Sequence, residues 1–228
     1  MSGNVKGRLI RDGLLIYYDP ANTSSYLSGS TTVTDISKNG KEGTLINGVG
    51  FSNLVEGSFS FDGVDDYITV PSLGLLSDFT ISSWFRITGA GTGTNAYATL
   101  IGFGSNNRIL ARTSGVLSLR KIYIDMATNG ILYESDDLFT YNTWNNVTFT
   151  YNSTTDTGII YLNNIKQTPF VNSTLRYTNN VHYIGTGTVP LYEYSLLGNT
   201  SNFFIYNRVL SDDEVTNNYN ALRGRFGR

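Results

Sequence analysis

The residues of this 228-residue chain that could carry out chemistry begin with its carboxylates. Enzymatic hydrolysis of a glycosidic bond requires two carboxyl groups, one acting as an acid and the other as a base or nucleophile. The segment Tyr123-Ile-Asp125-Met-Ala carries one carboxylate and no second one two residues away. The segment Tyr133-Glu134-Ser-Asp136-Asp137 carries three, but its pattern predicts a loop before Phe139. We therefore expect that the protein is not an enzyme.

Nucleophilic and transition-metal chemistry are limited by the absence of cysteine and by a single histidine, His182. A Ser-His-Asp triad would have to use this residue. His182 lies between Val181 and Tyr183 in a predicted strand, which favours a packed or surface side chain. One histidine also excludes a metal site built from several histidines of one chain.

Three carboxylates within five residues, Asp62, Asp65 and Asp66, form the candidate metal site. Calcium takes oxygen ligands of this kind. The Asp62-Gly63 dipeptide is equally typical of a hairpin turn, with Asp65 and Asp66 solvated beside it. We favour the turn interpretation, so that we expect no cofactor, with calcium as the open alternative.

Periodicity along the chain predicts an all-β fold. Phe79, Ile81, Phe85 and Ile87 alternate with more polar residues, the period of a strand with one buried face. Short strands of this kind recur between turns rich in Gly, Asn and Asp, which is typical of a sandwich or barrel. The predicted strands include 14–18, 59–61, 67–70, 109–112, 116–119, 122–124, 144–151, 159–162, 182–184 and 203–206.

One short helix is predicted near the C-terminus. Ser211 precedes Glu214 by three residues, the spacing of a capping box that satisfies free amides at a helix start. Val215, Tyr219 and Leu222 follow at helical spacing, so that one narrow face can dock on the protein. Trp84 and Trp144 lie in predicted strands, and we expect both in the core.

Charge divides the chain into three parts, although its net charge is only −2. We predict a basic arm at 1–12, one domain at 13–222 and a basic tail at 223–228. A basic end on an acidic body can anchor an acidic partner, and a solvated tail is the alternative. The residues expected to bind a partner are Lys6, Arg8, Arg11, Arg223, Arg225 and Phe226.

Two partner classes are excluded by composition. The body carries no stripe of lysine and arginine, so we expect no nucleic-acid binding. No apolar run approaches the roughly 20 residues needed to cross a bilayer, and the N-terminus lacks an apolar signal segment. We expect no membrane partner and synthesis in a cytoplasm.

The order of several segments resembles the laminin-G-like jelly roll of the concanavalin A-like lectin/glucanase superfamily. The resemblance covers roughly residues 13–222, and the versions in bacteriophage capsid decoration, fibre and baseplate proteins are especially similar. It implies two antiparallel sheets in a jelly-roll sandwich. The segments that carry it are Gly13-Leu-Leu-Ile-Tyr-Tyr-Asp19, Ser60-Phe-Asp-Gly-Val-Asp-Asp-Tyr-Ile68, Phe79-Thr-Ile-Ser-Ser-Trp-Phe85, Trp144-Asn-Asn-Val-Thr-Phe149 and Ile205-Tyr-Asn-Arg-Val-Leu-Ser-Asp-Asp-Glu-Val215.

The resemblance also implies a function, a non-enzymatic bacteriophage structural protein located in the virion. We expect capsid decoration, with phage capsid or tail proteins as partners and a possible homotrimer. The alternative is a carbohydrate-binding module of a tail fibre or surface protein that attaches to host-surface glycans. Its aromatic platforms would be loop tyrosines, namely Tyr97, Tyr133, Tyr141, Tyr192 and Tyr194.

Overall fold

The computed structural model describes residues 7–53, 56–90, 97–103, 107–113, 120–126, 131–173, 175, 180–187, 189 and 194–228. Within these residues, seventeen strands form two antiparallel sheets, and one short helix follows the last strand. The predicted all-β sandwich and its C-terminal helix are confirmed, and the architecture is consistent with a jelly roll. None of the described helices has the length and apolar character that a membrane span requires.

Sheet A has nine strands, ordered β14-β13-β12-β7-β17-β5-β4, with β1 paired to β17 and β15 paired to β13. Along its long central strands, successive side chains point alternately toward sheet B and toward the C-terminal helix. The strands are β1 Leu14–Tyr18, β4 Gly50–Ser52, β5 Ser58–Asp62, β7 Phe79–Ile87, β12 Asn145–Asn152, β13 Thr157–Leu162, β14 Ile165–Lys166, β15 Phe170–Val171 and β17 Leu197–Tyr206.

Sheet B has eight strands in the order β11-β10-β9-β8-β16-β6-β3-β2. Neighbouring strands pair antiparallel throughout, so residues of one face stay in line across the sheet. The strands are β2 Thr32–Val33, β3 Gly43–Ile46, β6 Tyr67–Val70, β8 Tyr97–Gly102, β9 Asn107–Arg112, β10 Ile122–Met126, β11 Ile131–Glu134 and β16 His182–Ile184.

The main core lies between the two sheets. Phe79, Phe85 and Phe149 of sheet A meet apolar residues of sheet B such as Ile109 and Ile184. Phe79 contacts Phe149 with ring centroids 5.8 Å apart, so aromatic rings fill the gap that aliphatic side chains leave. His182 is also buried, and burial lowers its pKa to about 4. A packed histidine was one of the two placements expected for it.

Three strand predictions differ from the structure or lie outside it. β5 belongs to sheet A and β6 to sheet B, so Asp62-Gly63 begins a crossing between sheets and not a hairpin. The alternation of buried and exposed residues cannot distinguish a hairpin from a crossing between sheets, because in both cases each strand has one buried face. Tyr133 and Glu134, the first two residues of the segment predicted as a loop, belong instead to the edge strand β11, Ile131–Glu134. The strand predicted at 116–119 lies outside the described residues.

The C-terminal helix covers the outer face of sheet A. It spans Asp212–Leu222 as α1, with the predicted capping box of Ser211 and Glu214. Val215 packs on Tyr206 and Leu14 in a second apolar cluster. A 3₁₀ helix, Arg223–Phe226, follows directly and continues this cover.

Both tryptophans are buried, as predicted, but beneath this C-terminal cover and not between the sheets. Trp84 stacks on Phe226 with centroids 4.3 Å apart and on Tyr219 at 5.4 Å. Trp144 completes the cluster, with its ring 4.9 Å from that of Phe226. The outer face of sheet A is therefore an internal surface of the protein.

Candidate functional site

The outer face of sheet B is the sheet surface on which no described helix packs. Strand alternation places Ile68, Ala98 and Ile124 in the core, so their neighbours point outward. We call the outward set the tyrosine–arginine face; it consists of Tyr67, Tyr97, Tyr123, Tyr183, Tyr194, Arg108, Arg112 and Asp125.

Tyrosine rings form two groups on this face. The ring of Tyr97 meets those of Tyr123 and Tyr194 edge to face, with centroids 5.5 Å and 5.8 Å apart. Tyr67 and Tyr183 form a second such pair at 5.6 Å. Tyr97, Tyr183 and Tyr194 remain half-buried, so part of each ring is accessible. Edge-to-face contacts hold these rings in fixed orientations without closing the face.

The loop before β17 brings Tyr194 onto the face. Its carbonyl oxygen accepts a hydrogen bond from the backbone N–H of Thr99 on β8, at 2.7 Å. Tyr194 has a positive φ of 59°, a left-handed conformation in which the chain turns toward β17. This backbone anchor fixes the ring beside the strands although the residue itself lies outside them.

A buried ion pair lies beneath Tyr194. The Nη2 and Nε atoms of Arg108 lie 2.6 and 2.9 Å from the Asp125 carboxylate, and both side chains are about nine-tenths buried. Arg108 also lies 4.8 Å from the centre of the Tyr194 ring. Burial strengthens the direct attraction within such a pair and makes it less sensitive to salt, while desolvation of the two charges opposes this gain. Asp125 therefore orients Arg108 on the face.

Arg112 belongs to a second polar network. Its guanidinium lies 5.6 Å from the centre of the Tyr97 ring and is hydrogen-bonded to the Tyr123 hydroxyl. Tyr123 is in turn hydrogen-bonded to Glu134, which also accepts a 2.8 Å bond from Lys121. The bond from Lys121 is the main reason that the pKa of Glu134 is lowered. Glu134 is therefore ionised at neutral pH, unlike the general acid of a glycoside hydrolase.

The structure brings Asp62, Asp65 and Asp66 together at the crossing from β5 to β6. One ligand oxygen from each lies within 4.8 Å of the others. Asp66 Oδ2 accepts a 3.0 Å hydrogen bond from the Asp62 backbone N–H. Asp66 Oδ1 is buried and has no hydrogen-bond partner in the part of the chain that the structure describes. The loop thus has both the turn contacts and an unsatisfied carboxylate oxygen.

Burial is the main cause that raises the pKa of Asp66 to about 6, and the charges of Asp62 and Asp65 add to it. Gly48 lies beside Asp66, since a Cβ there would be in ordinary contact with Oδ1 at 3.6 Å. Three clustered carboxylates with a buried free oxygen fit a calcium ion, which these residues would hold as hard oxygen ligands. Calcium binding itself stays a prediction.

The predicted N-terminal arm is packed on the protein from Gly7 onward. A Cβ at Gly7 would lie 2.2 Å from the carbonyl oxygen of Asn217, so only glycine fits against α1 there. The backbone N–H of Ile10 donates to Asn218 Oδ1 at 2.8 Å. The side chains of Arg8 and Arg11 are exposed, and Lys6 lies outside the described residues.

The predicted C-terminal tail is also packed. Arg225 is paired with Asp19 at 2.8 Å and donates to the carbonyl oxygen of Gly57 at 3.0 Å. Phe226 is 5% exposed, whereas Arg223 is exposed. The contacts of Arg225 and Phe226 are therefore internal in this structure. The partner-binding role of the six terminal residues and the domain boundaries stay predictions.

Sequence reasoning identified part of the tyrosine–arginine face and missed the rest. Tyr97 and Tyr194 were among the tyrosines proposed as platforms, although Tyr97 lies in a strand. Tyr133 and Tyr141 lie off this face, and Tyr192 is outside the described residues. Arg108 and Arg112 were missed, although they alternate with Ile109 and Ala111 as outward residues of a strand do.

Comparison with known proteins gives the family and the fold. A laminin G family model, described as the concanavalin A-like lectin/glucanases superfamily, matches residues 62–216. No curated protein matches the chain significantly.

Several solved structures share the fold at low sequence identity. Domain 4 of AbnA, a GH43 extracellular arabinanase from Geobacillus stearothermophilus in complex with arabinotriose, has a TM-score of 0.67 and 14% identity, covering 90% of this chain and 98% of that one. Trypanosoma rangeli sialidase in complex with sialic acid has a TM-score of 0.67 and 13% identity, covering 95% and 34%. The binding domain of Paraclostridial Mosquitocidal Protein 1 has a TM-score of 0.64 and 16% identity, covering 92% and 52%. This chain thus spans about a third of the sialidase and about half of the toxin domain.

Proposed function

Because the chain belongs to the concanavalin A-like lectin/glucanases superfamily, we propose that it is a non-catalytic carbohydrate-binding protein. The saccharide binds on the tyrosine–arginine face of sheet B. One observation carries the proposal: three half-buried tyrosine rings share a sheet face with a buried Arg108–Asp125 pair, and no described helix covers this face. A similar fold in complex with arabinotriose supports the saccharide class of ligand.

The chemistry of the face suits a sugar. Aromatic rings pack against the apolar C–H surface of a pyranose or furanose, while a few oriented polar groups select its hydroxyls. Tyr97, Tyr183 and Tyr194 supply the rings, and the charged groups beneath them have fixed positions. Fixed side chains lose little rotamer freedom on binding, which favours affinity.

Binding without hydrolysis is the second part of the proposal. A hydrolase requires one protonated and one ionised carboxyl group across the scissile bond. On this face Asp125 is held by Arg108, and the pKa of Glu134 is lowered by Lys121. The Glu134 carboxylate is therefore ionised and is not prepared to donate a proton. Release of reducing sugar from a polysaccharide panel would contradict this part.

The bacteriophage role expected from the resemblance stays a prediction. So do the capsid or tail partners, the homotrimer and the virion location. The similar structures named above favour the carbohydrate-binding alternative over capsid decoration, because two of them hold saccharides. Arg8, Arg11 and Arg223 keep exposed side chains that an acidic partner surface could contact.

The test is saccharide binding by purified protein and by variants of the face. A glycan array selects ligands, and calorimetry then compares wild type with Tyr97→Ala and Tyr183→Ala. Each substitution should weaken binding about tenfold, the equivalent of about 1.4 kcal/mol, because an aromatic contact is lost. Tyr141→Ala, a half-buried tyrosine off the face, is the matched control and should bind normally.

Thermal unfolding of each variant separates loss of binding from loss of folding. The proposal is contradicted if no saccharide on the array binds. It is equally contradicted if folded Tyr97→Ala and Tyr183→Ala bind the selected ligand as tightly as wild type.

A further inference from the structure

Arg112 differs from the other cations around the tyrosine–arginine face. Arg108 is paired with Asp125 and Lys121 with Glu134, whereas none of the ion pairs among the described residues includes Arg112. The Arg112 guanidinium contacts the Tyr123 hydroxyl and the Tyr97 ring, and the Glu134 carboxylate acts on its charge without forming an ion pair with it. Arg112 therefore has no directly paired carboxylate among the described residues, since Glu134 is bonded to Lys121.

The hydrogen-bonding capacity of Arg112 is also only partly used. A guanidinium carries five N–H donors in a planar fork that matches a carboxylate. The Nε atom of Arg112 is buried without an acceptor among the described residues. The side chain as a whole is partly exposed, so a ligand can approach the outer edge of the fork.

The two ion pairs of the face and Arg112 together carry one more positive than negative charge, although Asp136 also acts on Lys121. The described charged residues of the two networks are Arg108, Arg112 and Lys121 against Asp125 and Glu134, which leaves one positive charge in excess. The whole chain carries a net charge of −2. A local positive charge attracts an anionic ligand even on a protein whose net charge is negative.

Resting on the carbohydrate-binding function proposed above, we infer that the ligand is an acidic saccharide and that Arg112 binds its carboxylate. The carboxylate takes the place that aspartate or glutamate occupies in the neighbouring pairs. Tyr123 holds the guanidinium from one side and Tyr97 supports it from another, so that Arg112 is oriented before the ligand arrives. A charge-assisted, two-pronged contact of this kind is stronger than a neutral hydrogen bond.

The experiment compares each acidic sugar with its own uncharged form. The probes are trisaccharides of galacturonate, glucuronate and mannuronate, each alongside its methyl ester, which keeps the ring and removes the charge. Wild type should bind at least one acid at least tenfold more tightly than its ester. Increasing sodium chloride from 20 to 300 mM should weaken binding of the acid and leave that of the ester nearly unchanged.

Substitution of Arg112 then assigns the preference to this residue. Arg112→Gln should weaken binding of the acid at least tenfold more than binding of the ester, and Arg112→Lys should keep part of the preference for the acid. Arg8→Gln, which removes the same charge from an exposed arginine beside α1, is the matched control. Circular dichroism and thermal unfolding confirm that each variant is folded.

The outcomes separate this inference from the function on which it rests. Equal binding of acids and esters, with loss of both in Tyr97→Ala, overturns the inference and leaves the proposed function standing. An acid preference that survives in folded Arg112→Gln also overturns the inference alone. If neither these probes nor any saccharide of the array binds, both are overturned.

Discussion

Burial shifts the pKa values of individual side chains in this protein. His182 and Asp66 are both almost fully buried, but desolvation shifts their pKa values in opposite directions, to about 4 and about 6. Loss of water disfavours whichever form is charged, the imidazolium in one case and the carboxylate in the other. His182 is therefore neutral at pH 7, whereas Asp66 is ionised there at a cost that a cation could offset.

Calcium should offset that cost. At pH 7.5, millimolar calcium should raise the melting temperature of the wild-type protein, because the ion binds the ionised Asp66 together with Asp62 and Asp65. The proton competes for Asp66 with a pKa of about 6, so the effect should shrink as the pH falls from 7 to 5. Differential scanning fluorimetry across this range measures both.

Two variants control the calcium measurement. Asp66→Asn should abolish the calcium effect, and Asp213→Asn, an exposed carboxylate on α1, should retain it. An unchanged melting temperature with calcium at pH 7.5 would leave the loop as a structural turn only. In the absence of calcium, the pH dependence of stability has the opposite sign. The pKa of Asp66 is raised in the folded protein, so protonation of Asp66 as the pH falls below about 6 stabilises the folded state.

Among the elements of the fold, the C-terminal cover consists of α1 and the 3₁₀ helix, and a helix cap, an ion pair and an aromatic cluster stabilise it. Ser211 caps α1, and Glu214 accepts two 2.7 Å bonds from Arg208, which lowers the pKa of Glu214 to about 2. The 3₁₀ helix then inserts Phe226 between Trp84 and Trp144. Residues 223–226 thus close an aromatic cluster on the outer face of sheet A.

Phe226→Ala should therefore destabilise the protein substantially. Loss of a buried phenylalanine costs about 3 kcal/mol, which for a chain of this length lowers the melting temperature by about 6–12 °C. Tryptophan fluorescence should shift to the red, because Trp84 and Trp144 gain contact with water. Arg223→Ala, an exposed neighbour, is the control. A melting temperature within 1 °C of wild type would mean that the cover is not docked in solution.

Patterns within short segments of the sequence predicted the helix and several of the strands. The capping spacing of Ser211 and Glu214 identified α1, and period two identified β7 and β12. The pairing of β5 and β6 with different sheets was not predictable, since both strands show the same alternation whether they pair or cross over. The packing of Arg225 likewise depends on Asp19 and Gly57, more than 160 residues away in sequence.

The whole molecule is asymmetric, and this asymmetry positions the candidate site. The C-terminal helices cover the outer face of sheet A, whereas the described helices leave that of sheet B open. The fold class and the family were accessible from the order of segments. The tyrosine–arginine face was not, because it combines β6, β8, β9, β10 and β16 with Tyr194, and only the sheet order makes them neighbours.

The most direct test of the account is a map of backbone amide shifts on titrating isotope-labelled protein with its tightest-binding saccharide. We predict shifts concentrated in Tyr67–Val70, Tyr97–Gly102, Asn107–Arg112, Ile122–Met126 and His182–Ile184, the strands of the tyrosine–arginine face. Asp212–Leu222 on the opposite side should remain unchanged. Shifts confined to α1 or to the loop of Asp62, with none on these strands, would contradict it.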